Sequence, residues 1–200
     1  MRPLIFALAL FSTSVLAQPF APTTMRVTGT IEAADANSIT VLALEGGGTN
    51  KVFLTPDAKV FGVSTTTLAE VKPGAFVGVG ATPNADGSQR AIRVTVFAES
   101  QRGLGEGFRP WDRAPHGTMT NATVAETVKG VDGQVLTVKY KGGDKRIVVP
   151  PDARILAYSV GDRSELKVGA HVAILRAKRK LDGSWEADRV NVGRGSVIPD

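Results

Sequence analysis

The sequence predicts an all-β protein built from two copies of one strand-rich unit. Four blocks occur twice in the same order, and the offsets between the copies are 95 or 96 residues. The matched blocks are 57–61 with 152–156, 70–75 with 165–170, 86–88 with 182–184, and 91–96 with 187–192. Self-similarity at a fixed spacing indicates a repeated structural unit. Both copies carry β-branched alternation interrupted by Gly, Asp and Asn turns, which is typical of strands.

The first copy predicts five strands. Residues 26–33 are rich in β-branched residues, and the Asp35-Ala36-Asn37-Ser38 segment that follows favours a turn. Residues 39–44 alternate toward Gly46-Gly47-Gly48, interpreted as a hairpin turn, and residues 51–54 return. Residues 64–71 favour a short helix or helical turn. A further hairpin joins residues 75–82 to 89–97.

The second copy repeats this order. Asp132-Gly133 and Gly142-Gly143 predict two-residue hairpin turns. The short helical segment returns at 161–166, and residues 170–178 pair with 185–192 around Asp182-Gly183. Five strands with one helical segment predict a small five-stranded OB-like β-barrel, and closing the sheet removes exposed strand edges. The alternatives are an open β-sandwich half or one sheet shared by both copies.

The predicted domains are therefore two tandem barrels behind a leader. Residues 18–98 form the first barrel, 99–118 the linker and 119–200 the second barrel. Residues 1–17 have the features of a secretory signal peptide: Arg2, an apolar run at 4–11, and small residues at Val15 and Ala17. We predict cleavage after Ala17 and a soluble periplasmic protein. The apolar run is shorter than the roughly 20 residues that a membrane span needs.

Both copies resemble a bacterial exported domain family of unknown function with a small OB-like β-barrel. The resemblance rests on residues 27–33 (VTGTIEA), 55–60 (TPDAKV), 71–74 (VKPG) and 93–96 (RVTV). The chain also resembles a two-copy subfamily marked by residues 105–112 (GEGFRPWD). Such proteins are sometimes labelled metal-transporter permeases, which implies membrane spans that no later stretch of this sequence offers. The resemblance implies a fold and a compartment, and it brings no catalytic residues.

Composition excludes several classes of site. The absence of cysteine excludes disulfides, iron–sulfur clusters, thiol nucleophiles and cysteine-bound zinc. Two histidines, His116 and His171, cannot supply a three-histidine metal site. His171 aligns with Phe76, a core-alternating strand position, which indicates a packed or half-exposed histidine and not a catalytic base. We expect no catalytic residues, no cofactor and no metal; an enzyme with carboxylates at the barrel rim is the weaker alternative. Turn chemistry accounts for the aspartates at 35, 57, 86, 132, 152 and 182.

The linker concentrates unusual residues. Residues 99–118 show no strand alternation and contain Phe108, Arg109, Trp111, Asp112 and His116. A connection this long is usually functional or a spacer. In one interpretation Phe108 and Trp111 staple the barrels together while Arg109 pairs with Asp112 or Glu106. In the other, the linker is a recognition loop in the cleft between the barrels.

The positive charge of the chain is concentrated in its second copy. The whole mature excess of positive charge falls in residues 119–200, which hold fourteen basic and ten acidic side chains. Arg176, Lys178 and Lys180 alternate on one strand face, with Arg179 beside them, and predict an anion-binding rim or a lysine-protected edge. An aromatic content of 6% argues against single-stranded nucleic acid.

These patterns predict a non-enzymatic periplasmic binding or scaffold protein. Its partner would be an envelope protein, a glycan or an anionic ligand. The alternative is a small-ligand or metal-binding accessory protein with its site at the linker.

Overall fold

A computed structural model describes residues 23–130 and 133–199, which are all-β. The predicted signal peptide at 1–17, its cleavage after Ala17 and the turn residue Asp132 lie outside the described residues. The strands are β1 (Thr24–Ala34), β2 (Ser38–Ala43), β3 (Thr49–Thr65), β4 (Phe76–Pro83), β5 (Gln89–Val96), β6 (Gly107–Pro110), β7 (Thr118–Gly130), β8 (Gly133–Tyr140), β9 (Gly143–Val149), β10 (Arg154–Val160), β11 (His171–Arg179) and β12 (Trp185–Gly193).

Five strands close into a barrel, here called the first ring. Its order is β1-β2-β3-β12-β11, and β11 returns to β1. Four of the five pairings are antiparallel, and β3 with β12 is parallel. The inward-facing side chains form one apolar cluster that includes Val27, Ile31, Val52, Ile174 and Val190, all buried. Burial of these branched side chains supplies the main favourable free energy of the ring.

The second ring has the order β5-β4-β7-β8-β9. It is connected back on itself by a short parallel pairing, in which Gln89 and Arg90 of β5 lie opposite Ile147 and Val148 of β9. Its own buried cluster includes Val77, Val79, Val94, Leu136 and Ile147.

The two rings exchange strands between the copies of the repeat. β1 to β3 come from the first copy and are completed by the hairpin β11–β12 of the second. The hairpin β4–β5 of the first copy instead completes β7 to β9. The tandem arrangement is therefore not confirmed, and the boundaries 18–98 and 119–200 follow the repeat copies and not the two clusters. Because both copies carry the same alternation, either hairpin satisfies the inward-facing pattern of either set of strands.

β10 joins the rings into one sheet. It pairs antiparallel with the end of β3 and parallel with β5. Val63 lies opposite Tyr158, which is its counterpart in the repeat, so the two copies are related here by a local pseudo-two-fold axis.

The predicted helical segments at 64–71 and 161–166 are not confirmed as helices. Each holds a single 3-10 turn, Leu68–Glu70 and Arg163–Glu165. The linker is more ordered than predicted, since it contains a third 3-10 turn, Glu99–Gln101, and the strand β6. Among the residues that the structure describes, no helix has the length and apolarity needed to cross a membrane.

Candidate anion-binding cleft

A β-bulge shapes one wall of a cleft between the rings. Met25 pairs with Ala177 and Val27 with Ile174, so two residues of β11, Leu175 and Arg176, lie opposite the single residue Arg26. A bulge of this kind bends its strand and redirects side chains. Leu175 and Arg176 are consecutive and both exposed, and all three side chains line the cleft.

The linker forms the opposite wall because it is attached to the second ring. β6 pairs with β7, placing Phe108 opposite Thr120 and Arg109 opposite Met119. The Trp111 ring packs over β4 at Gly80, where an added Cβ would lie 2.6 Å from the ring. Asn121 donates through Nδ2 to the carbonyl of Leu104 at 2.8 Å, which anchors the start of the linker.

The cleft has a volume of about 750 Å³. Such a volume lies within the range of small-molecule sites. Five arginines line it, against one carboxylate, Glu106. Three of the arginines lie on strands of the first ring: Arg26 on β1, Arg176 on β11 and Arg189 on β12. The other two are Arg93 on β5 of the second ring and Arg109 on β6 of the linker.

Arg109 and Arg189 contact uncharged groups. Across residues 23–130 and 133–199, Arg26, Arg109, Arg176 and Arg189 have no carboxylate within ion-pair distance. Arg109 donates to the Gly105 carbonyl at 2.8 Å. Burial lowers the pKa of the Arg109 guanidinium, because desolvation disfavours its charged form.

Aromatic rings support the two arginines that occupy corresponding positions in the repeat. Arg93 lies 5.4 Å from the centre of the Trp111 ring, and Arg189 lies 5.5 Å from that of Phe61. Stacking of this kind restricts the orientation of a guanidinium. The single carboxylate of the lining, Glu106, accepts from the backbone N–H of Lys141 at 2.8 Å. The cleft therefore carries a local excess of positive charge.

The structure brings some of the predicted site residues together. Phe108, Arg109 and Arg176 line the cleft. Trp111 and Asp112 line a smaller adjoining pocket of about 460 Å³, which shares Arg26, Arg93 and Arg109 with it.

The other predicted residues do not line either space. His116 is exposed in the turn that follows Trp111, with a φ of 54°. The Nζ of Lys178 lies 3.6 Å from Oδ2 of Asp188, and the Nζ of Lys180 lies 4.0 Å from Oε1 of Glu186. Arg179 stacks on Trp185 at 5.9 Å. The basic side chains of the hairpin therefore already contact carboxylates or an aromatic ring, which weakens the prediction of an anion-binding rim there.

The linker contacts differ from those predicted. Arg109 bonds a backbone carbonyl instead of Asp112 or Glu106. Trp111 packs on β4, and Phe108 lies under the Lys145 ammonium of β9 at 4.5 Å, so both contact the second ring. The linker reaches the first ring through Arg113, whose Nη1 lies 2.9 Å from Glu45.

Sequence reasoning missed Arg26, Arg93 and Arg189. Arg93 and Arg189 did leave a signal, because arginine is the charged residue kept in both copies of the block 91–96 and 187–192. Arg26 left none, since its place in the cleft depends on the bulge in a strand that is distant in the sequence.

The remaining candidates have structural partners. His171 is half-buried, as expected, and its Nδ1 lies 3.0 Å from the hydroxyl of Thr30 on the paired strand β1. Asp86 and Asp182 each accept from the hydroxyl and backbone N–H of the serine two residues on, at 2.6–3.0 Å, which lowers their pKa values. These bonds confirm turn chemistry for both aspartates. Among the described residues no group of three His, Asp or Glu side chains has a metal-binding arrangement.

The geometry defines an all-β protein with a five-stranded barrel and an arginine-lined cleft. No family model matches the chain, and neither a curated protein nor a solved structure is significantly similar to it. The resemblance to the exported domain family therefore stays a prediction.

Proposed function

We propose that this protein is a non-enzymatic periplasmic binding protein whose ligand is an anion held in the cleft between the two rings. The observation that carries the proposal is that four arginines of the lining, Arg26, Arg109, Arg176 and Arg189, have no carboxylate partner among the described residues, while the one carboxylate of the lining is bonded to a backbone N–H. Like charges at close range raise each other's free energy unless an anion is placed among them. Guanidinium groups bind carboxylate and phosphate through paired hydrogen bonds, so these are the ligand groups expected.

The same charges argue against the metal-binding alternative. A cation entering the cleft would be repelled by the arginines, whereas an anion would be concentrated there. The small-ligand alternative is compatible with the cleft, because the linker supplies Phe108 and Arg109 to one wall. The signal peptide predicted at residues 1–17 and the family resemblance support the periplasmic part of the proposal.

Titration with sodium tripolyphosphate tests the proposal by isothermal calorimetry. This probe carries several negative charges and no apolar group, so it measures anion binding alone. We expect Arg26→Gln and Arg176→Gln each to weaken binding about threefold to tenfold, as expected for loss of one charge-assisted contact. Affinity should also fall as sodium chloride is raised from about 50 mM to about 300 mM.

Arg179→Gln is the matched control, since Arg179 is an exposed arginine on the same strand as Arg176 but outside the cleft. It should leave tripolyphosphate binding unchanged. Loss of binding in Arg179→Gln with retention in Arg26→Gln would place the anion at the hairpin and refute the cleft. A hydrolase activity abolished by substitution of a described aspartate or histidine would refute the non-enzymatic assignment.

A further inference from the structure

We propose that the anion taken up by the cleft is amphiphilic, with a phosphate or carboxylate head and an acyl or similar apolar tail. This inference rests on the proposed function and specifies the ligand class. Its basis is a second property of the cleft, independent of charge: large apolar side chains are exposed in the same space as the arginines.

Three apolar residues of the lining are exposed to solvent. Leu175 is 46% exposed, Phe108 41% and Leu104 37%. Exposed apolar side chains that occur singly need no explanation, but several around one concave site indicate a binding surface. The half-buried side chains of Met119 and Phe97 belong to the same lining. Methionine adapts its shape to irregular apolar ligands.

Charged and apolar groups come from both walls. The first ring contributes Leu175 directly beside Arg176 in the bulge. The linker contributes Phe108 directly beside Arg109 on β6. A ligand between the walls thus meets a guanidinium and an apolar side chain on either side. A purely ionic ligand would leave this apolar surface in water, whereas an anion with a tail would cover it.

The concave shape favours a single molecule over a membrane surface. A cleft of about 750 Å³ encloses a ligand on more than one side. A flat lipid surface would contact the rims alone. The ligand is accordingly one amphiphile taken between the walls.

Calorimetric titration with decyl phosphate, kept below its micelle concentration, tests the inference against inorganic phosphate and neutral decyl glucoside. We expect decyl phosphate to bind at least about tenfold more tightly than either. Leu175→Ser and Leu104→Ser should each weaken decyl phosphate about threefold to tenfold while leaving tripolyphosphate affinity unchanged. These leucines are partly exposed, so replacing them removes little of the buried cluster. Leu42→Ser is the matched control, because Leu42 is 44% exposed on β2 and outside the cleft.

The outcomes separate the two proposals. Tripolyphosphate binding without preference for decyl phosphate over inorganic phosphate overturns the amphiphile and leaves the anion-binding function standing. Absence of binding by every phosphate probe overturns both. Equal affinity for decyl glucoside and decyl phosphate shows that the head group is not recognised, which also overturns the inference. Flotation with phosphatidylglycerol vesicles, in the absence of decyl phosphate binding, would assign the site to a membrane surface instead.

Discussion

The exchange of strands between the repeat copies predicts an energetic coupling that tandem barrels would lack. Val27 of β1 and Ile174 of β11 are buried partners across the strand pair, although they belong to different copies. Val79 is the repeat counterpart of Ile174 and lies in the cluster of the second ring. We therefore propose a double-mutant cycle on Val27→Ala and Ile174→Ala, with Val27→Ala and Val79→Ala as its control.

The expected magnitudes follow from burial. Ile174→Ala removes a fully buried side chain and should cost about 2–5 kcal/mol of unfolding free energy. Val27→Ala deletes two buried carbons and should cost about 2 kcal/mol, at roughly 0.8 kcal/mol for each plus a cavity. Because the two side chains pack against each other, the double variant should lose about 0.5–3 kcal/mol less unfolding free energy than the sum of the two single variants. Val27→Ala and Val79→Ala should add to within about 0.5 kcal/mol.

Urea denaturation followed by circular dichroism measures all of these free energies. Ile174→Val replaces Ile174→Ala if the double variant does not fold. Additive costs for Val27 and Ile174, together with coupling between Val27 and Val79, would refute the exchanged pairing and restore the tandem barrels.

Two further changes test the linker and the junction near β10. Gly80→Ala places a methyl group where the Trp111 ring now lies, so we expect the ring to be displaced and its fluorescence emission to shift to longer wavelength. Arg194 bonds Glu165 at 2.8 and 2.9 Å and lowers its pKa below the usual range. The resulting stability, about 1 kcal/mol or less for a partly exposed pair, is present above pH ~4.3 and is lost as the pH falls through the lowered pKa. The urea midpoint of unfolding, measured as a function of pH, should no longer contain this pH-dependent contribution in Glu165→Gln.

The strands and turns could be predicted from the sequence, but their partners could not. Gly46, Gly47 and Gly48 all adopt positive φ between β2 and β3, and only a residue without a Cβ does so at little cost. Turns of this kind can be predicted from neighbouring residues in the sequence. The choice between two hairpins with the same alternation depends instead on packing and loop geometry summed over the whole molecule.

The candidate site, like the fold, could be predicted from the sequence only in part. Phe108 and Arg109 stood out because they interrupt a strand-rich sequence, and both line the cleft. Arg26 resembles any exposed strand residue until the bulge brings Leu175 and Arg176 opposite it. The sequence shows the basic residues of the β11–β12 hairpin, but it does not show that Asp188 of β12 lies beside Lys178 of β11.

The order in which the first ring acquires its strands has a consequence for how the chain folds. Thr30 and His171, on its paired strands β1 and β11, are separated by 141 residues. During synthesis β1 to β3 must therefore wait, with both outer edges unpaired, until almost the whole chain has been made. Contacts between such distant segments slow folding, and unpaired edges are where chains aggregate. A chain interrupted before β11 would contain every strand of the second ring but only β1 to β3 of the first. We therefore expect such fragments to aggregate through the unpaired edges of β1 and β3.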